Sequence, residues 1–248
     1  MGEIFPSPVV IEGEDAPGRA VLVCEHADNS FPEIYGNPGI GDEGRRAHVA
    51  WDPGALGLAR ALAARLQSPL VRATLSRLIY DLNRPPGAES ATPPRSEIYD
   101  IPFNHALAPP EKLRRVSQIY LPFHDALHGL LAQRMAAGQS PVLITVHSFT
   151  PIFEGRQRDT EFGIIHDQDD RLAKALARQD LGGLAVHLNQ PYSAADGVAH
   201  TLALHATPYG LSHAMLEIRN DLIADEPAQA AMADRLAPAI IAAMKEAA

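Results

Sequence analysis

Cysteine is nearly absent from this 248-residue chain, which has only Cys24. A lone thiol forms no internal disulfide and builds no cysteine-based zinc site, so any metal must be held by His, Asp or Glu. Positive charge is also scarce. Lys and Arg total 21 against 30 acidic residues, a formal net charge of −9, with no basic run. Binding a phosphate backbone needs clustered Lys and Arg, so the composition argues against a nucleic-acid partner and a small molecule is expected. No apolar run approaches the roughly 18 residues that would span a bilayer. The N-terminal stretch MGEIFPSPVVIEGEDAPG lacks the basic start and apolar core of a signal peptide, so no membrane partner and a cytoplasmic location are expected.

Hydrophobic residues make up 46% of the chain, enough for one substantial core. Four short runs, rich in β-branched residues and bounded by turn formers, read as buried strands: Ala20–Cys24, Leu70–Leu75, Val142–Val146 and Ala214–Ile218. Phe162–Ile165 and Ala185–Leu188 are weaker candidates. Helical spacing runs through Ala55–Leu66, Glu111–Ala137, Asp169–Arg178 and Ala228–Lys245, the last after Pro227 in a first-turn position. Alternating strands and helices, with strands too apolar to carry a wet face, predict a single α/β domain over residues 1–248. Its central sheet should be mixed but mainly parallel, with helices on both faces. The segment Pro85–Pro110 has seven prolines and should form a long ordered loop or lid.

Ligands of open α/β sheets bind outside the carboxyl ends of the strands, so the polar residues there bear on chemistry. The first strand runs into Glu25-His26, the second into Arg77 and YDLNR (Tyr80–Arg84), the third into His147, and the last into Glu217 and Arg219. Two imidazoles and a carboxylate form the usual ligand set of catalytic zinc, and a further glutamate can move a proton between water and a leaving amine. Each of these residues also has a plainer reading. A histidine after a strand is often a surface residue, and Arg84 and Arg219 could equally pair with Asp81 and Asp221. The chain has no GxSxG elbow, which argues against a serine hydrolase.

In order and spacing, the segments VLVCEHADNSFP, HVAWDPGA, SRLIYDLNRPP, ITVHSF, NQPYSAADG and LEIRND resemble the N-formylglutamate amidohydrolases, a family similar in fold to the zinc carboxypeptidases. The resemblance spans nearly the whole chain. It implies zinc-dependent hydrolysis of N-formyl-L-glutamate, or a related acidic N-acyl amino acid, to formate and glutamate, a closing step of histidine breakdown. By that resemblance His26 and His147 are metal ligands and Glu217 is the proton shuttle. Asn83 and Arg84 hold a substrate carboxylate, and Arg219 takes part in substrate binding. Arg77, at the end of the second strand, could assist at the oxyanion or the substrate, or be an ordinary surface arginine.

The carboxypeptidases carry a glutamate ligand three residues after the first histidine, where this chain has Asn29. The third ligand must then lie elsewhere. Asp52, before a Pro-Gly turn, is the candidate, although it could instead cap the following helix. Glu25 is the fallback, and strand alternation should turn it away from His26. Tyr192 could close over substrate or simply pack its ring, and His200 could reach the site as a second proton donor. His205 and His213 read as structural.

Overall fold

The computed structural model describes residues 6–193 and 197–247. Its centre is a seven-stranded sheet built from β1 (Val9–Glu12), β2 (Ala20–Cys24), β3 (Leu70–Ala73), β4 (Val142–Phe149), β5 (Phe162–Ile165), β6 (Val186–Leu188) and β7 (His213–Arg219). The spatial order is β1-β3-β2-β4-β7-β5-β6. Strands β3, β2, β4 and β7 run parallel and form the middle of the sheet. Strand β1 is antiparallel to β3, and β5 and β6 run together but antiparallel to β7, so the sheet is mixed.

Side chains alternate along each central strand between two apolar layers, as the pleat requires. Leu22, Ile144 and Leu216 face one layer, covered by α2 (Ala55–Leu66), which follows the short α1 (Gly41–Arg46), and by α5 (Arg171–Ala177) and α7 (Glu226–Glu246). Val23, Leu143 and Met215 face the other, covered by α4 (Leu121–Ala136) and α6 (His200–His205). Burial on both faces explains why these strands read as continuous apolar runs.

Several boundaries differ from the sequence reading. The predicted helix Glu111–Ala137 is α3 (Pro109–Arg115), a π turn at Val116–Tyr120, and then α4. Pro122 offers no N–H and its ring crowds the carbonyl four residues back, which accounts for the wider turn just before it. Strand β4 is longer than predicted, so His147 sits within it and not beyond it. Strand β1 was not expected. The proline-rich segment holds a two-stranded hairpin, Arg95–Ser96 with Tyr99–Asp100, between single 3-10 turns. Among the described residues, no helix is long and apolar enough to cross a membrane.

Candidate metal centre

Strand β2 ends at Cys24, and the chain turns so that Glu25 and His26 both lie buried at its carboxyl end. On β4, His147 shares a face with Leu143, and Glu217 stands beside it in register on β7. Gly163 is the partner of Glu217 on β5, where a side chain would collide with the Gln190 carbonyl and crowd Glu217 Cβ. Asp52 comes from the loop before α2, pinned to the sheet because its N–H donates to His26 O at 2.9 Å. The Pro-Gly turn after it needs Gly54, whose φ is +81° and whose missing Cβ leaves room for the Ile223 carbonyl.

His26, Asp52 and His147 converge at this edge. His147 Nδ1 lies 2.9 Å from Asp52 Oδ2, His26 Nδ1 lies 3.3 Å from the same oxygen, and the two ring nitrogens are 3.2 Å apart. A tetrahedral cation with bonds of about 2.0–2.1 Å spaces its donors roughly 3.3 Å apart. The triangle has that size, so these residues fit zinc or a similar divalent ion. Asp52 caps nothing: α2 receives no side-chain cap, and the carboxylate points to the histidines.

Each outer nitrogen has a carboxylate beside it, hydrogen-bonded at His26 and only within ion-pair distance at His147. His26 Nε2 meets Asp81 Oδ1 at 2.8 Å, and His147 Nε2 lies 3.1 Å from Glu25 Oε2. Carboxylates in this position fix ring orientation and tautomer, leaving each Nδ1 free for a metal. Arg77 spans the two aspartates, with Nη1 3.3 Å from Asp52 Oδ1 and Nη2 2.7 Å from Asp81 Oδ2. Three buried carboxylates thus stand against one guanidinium, leaving two negative charges for a divalent cation to balance. Burial opposes ionisation of Asp52 and Asp81, but the imidazoles hold Asp52, and Arg77 and His26 hold Asp81, well below the usual carboxylate range. Burial likewise disfavours a charged His147, yet Glu25 and Asp52 raise it well above the ordinary histidine value.

A cavity of about 350 Å³ opens beside the triangle, within the range of small-molecule sites. Glu217 lines it, 5% exposed, with Oε2 making no hydrogen bond. Burial, supported by the negative charge of Asp52 and opposed by His147, pushes its carboxyl up to about 7. A carboxyl poised there exchanges protons readily near neutrality.

The chain matches the family model for N-formylglutamate amidohydrolase over residues 18–224. It belongs to the N-formylglutamate amidohydrolase family. A solved gene product of Agrobacterium tumefaciens is 48% identical, with a TM-score of 0.95 over 97% of this chain and 96% of that one. The N-formylglutamate amidohydrolase of Ralstonia eutropha shares the fold at 18% identity and a TM-score of 0.67, over 97% and 98% of the two chains. No curated protein matches.

In this family member, Arg77, Asn83, Arg84 and Tyr192 all reach the cavity wall. The Asn83 amide is already engaged: Nδ2 donates to Val198 O, and Oδ1 accepts from Thr201 N at 3.0 Å. One N–H and one oxygen lone pair of the amide are thus spent on holding the wall. Arg84 is anchored by one nitrogen, with Nη1 donating to Asn83 O and Gly197 O at 2.9 and 3.2 Å. Arg219 is a correction, because it pairs with Asp221 and Glu161 and does not line the cavity. His200 Nε2 bonds the Tyr120 hydroxyl at 2.8 Å and also stays off this wall. In NQPYSAADG, Ala194–Asp196 lie outside the described residues.

The sequence reading missed His48, Asp81 as partner of His26, and Arg158. Burial lowers His48 to about 4, and its Nδ1 lies 3.5 Å from Asp52 Oδ1. Its signal was the four-residue spacing to Asp52. Arg158 donates to the Tyr192 hydroxyl at 3.1 Å and lies against the rings of Phe149, Phe153 and Tyr192. Nothing in its local sequence marks it.

Proposed function

We propose that the chain is a metal-dependent amidohydrolase that removes the acyl group from an acidic N-acyl amino acid, with N-formyl-L-glutamate as its first candidate. The observation that carries this reading is the donor triangle of His26, Asp52 and His147 beside the buried carboxyl of Glu217, whose Oε2 has no hydrogen-bond partner. Zinc, when bound there, supplies a Lewis acid that lowers the pKa of water and polarises the acyl carbonyl.

The remaining work belongs to side chains. Glu217 takes a proton from the attacking water as the oxygen bonds to the acyl carbon. It returns that proton to nitrogen as the C–N bond breaks, so that formate and the free amino acid leave. Arg77, locked between Asp52 and Asp81, presents a fixed positive charge to the oxygen that becomes negative. Arg84, anchored through Nη1, turns the rest of its guanidinium to a substrate carboxylate. Tyr192, steadied by Arg158, covers one side of the bound acid.

The test is formate release by zinc-loaded protein from N-formyl-L-glutamate and from a panel of other N-formyl and N-acetyl amino acids. Release from acidic members, lost on chelation and restored by metal, supports the reading. No release from any member contradicts it.

A further inference from the structure

His48 is the one imidazole in the cavity wall that the proposed mechanism leaves unused. It is four residues before Asp52, in the same loop, and its ring closes the side of the cavity next to that ligand. Two facts fix the ring's chemistry. Nδ1 is fully buried and faces Asp52 Oδ1, the oxygen turned away from the histidine pair and toward Arg77. A carboxylate oxygen at 3.5 Å favours a proton on that nitrogen, even though the contact is too long for a full hydrogen bond. Nε2 is then the bare nitrogen, and among the described residues it has no partner.

Three acceptors of this wall, on Asp52, Glu217 and Asn83, are committed elsewhere. Asp52 Oδ2 faces His26 and His147, and Asp52 Oδ1 faces Arg77. Glu217 is reserved for the proton in transit, and both ends of the Asn83 amide hold backbone. A secondary amide brings an N–H into this cavity together with its carbonyl, and a buried donor left without an acceptor is penalised.

We infer that His48 touches the substrate, with Nε2 accepting the hydrogen bond of the scissile amide N–H. The inference rests on the amidohydrolase reading above. It adds a recognition element that separates secondary amides from acyl groups lacking an N–H.

The experiment compares His48→Phe and His48→Gln with the parent protein, all zinc-loaded. Two substrates are used: an N-formyl amino acid, and the formyl ester in which oxygen replaces the amide N–H. Zinc affinity of each protein is measured by competition with a chromogenic chelator. The expected result is that His48→Phe lowers kcat/KM on the amide about tenfold or more, the order of one lost hydrogen bond. It should change the ester by less than about twofold, with zinc affinity retained. His48→Gln, whose side-chain oxygen can accept, should recover part of the amide rate. Equal losses on amide and ester, or a loss that follows zinc affinity, would overturn the inference and leave His48 a positioning residue for Asp52. A parent protein inactive on both substrates would instead remove the amidohydrolase reading, and this inference with it.

Discussion

The Nδ1 atoms of His26 and His147 stand 3.2 Å apart with Asp52 Oδ2 beside both. Two imidazole lone pairs aimed at each other repel unless a positive charge lies between them. In the protein alone, a proton held on His147 meets part of that need. A divalent ion meets it fully and satisfies the surrounding carboxylates as well. Behind the rings stand two carboxylates, Asp81 hydrogen-bonded to His26 Nε2 and Glu25 3.1 Å from His147 Nε2.

Those carboxylates give the first prediction. Glu25→Gln and Asp81→Asn should each weaken zinc binding about 10- to 100-fold, the usual worth of a carboxylate behind a ligating histidine. Competition titration with a chelator reads the change. Unaltered affinity in both variants would mean that the rings need no support.

Glu217→Gln removes the proton acceptor without touching the donor triangle. Turnover should fall by about two to four orders of magnitude with one zinc retained per chain. Loss of the metal in that variant would make Glu217 a ligand and leave the proton shuttle without a residue.

Arg84→Ala tests the carboxylate pocket. Among the described residues its guanidinium is tethered through Nη1 alone, so its loss should raise KM by about 10-fold or more while changing kcat less. An unchanged KM would remove Arg84 from substrate binding.

How much of this was legible in the sequence depends on where each residue's meaning comes from. The central strands could be read because burial on both faces leaves a continuous apolar signature, as in AVLVC and VLITV. His26, His147 and Glu217 could be found because the carboxyl ends of parallel strands gather at one edge. Asp52 needed the family resemblance, and its role appears only once the loop before α2 is seen folded back onto His26. Strand alternation could not be applied to Glu25, because β2 ends at Cys24, and sequence could not show that its carboxylate comes within 3.1 Å of His147 Nε2. For Arg219 the strand-end position suggested substrate binding, but the other reading, pairing with Asp221, is the one the structure shows. Arg158 and Asp81 draw their meaning from tertiary neighbours, which local pattern does not carry.

A buried histidine pair away from the site supplies a pH prediction. His124 donates from Nε2 to Leu82 O, and its Nδ1 lies 2.8 Å from His205 Nε2. Burial lowers His124 to about 4 and His205 to about 3, below the ordinary value of 6.5. Both are therefore neutral when folded, while the unfolded chain takes up their protons below pH 6.5. The stability due to this pair is complete above pH 6.5 and is lost as pH falls from there toward 4 and 3. Urea unfolding of metal-free protein at pH 7.5 and pH 5 should show a loss of about 2 kcal/mol from His124 alone. Equal stability at the two values, or an NMR titration of His124 near 6.5, would contradict the assignment.

The central claim is that His26, Asp52 and His147 hold one divalent cation. Anomalous diffraction at the zinc edge, from crystals grown with zinc, tests it most directly. The account predicts a single strong peak inside the triangle, about 2.0–2.1 Å from both Nδ1 atoms and near Asp52 Oδ2. A crystal whose triangle stays empty while zinc sits on other residues would contradict it.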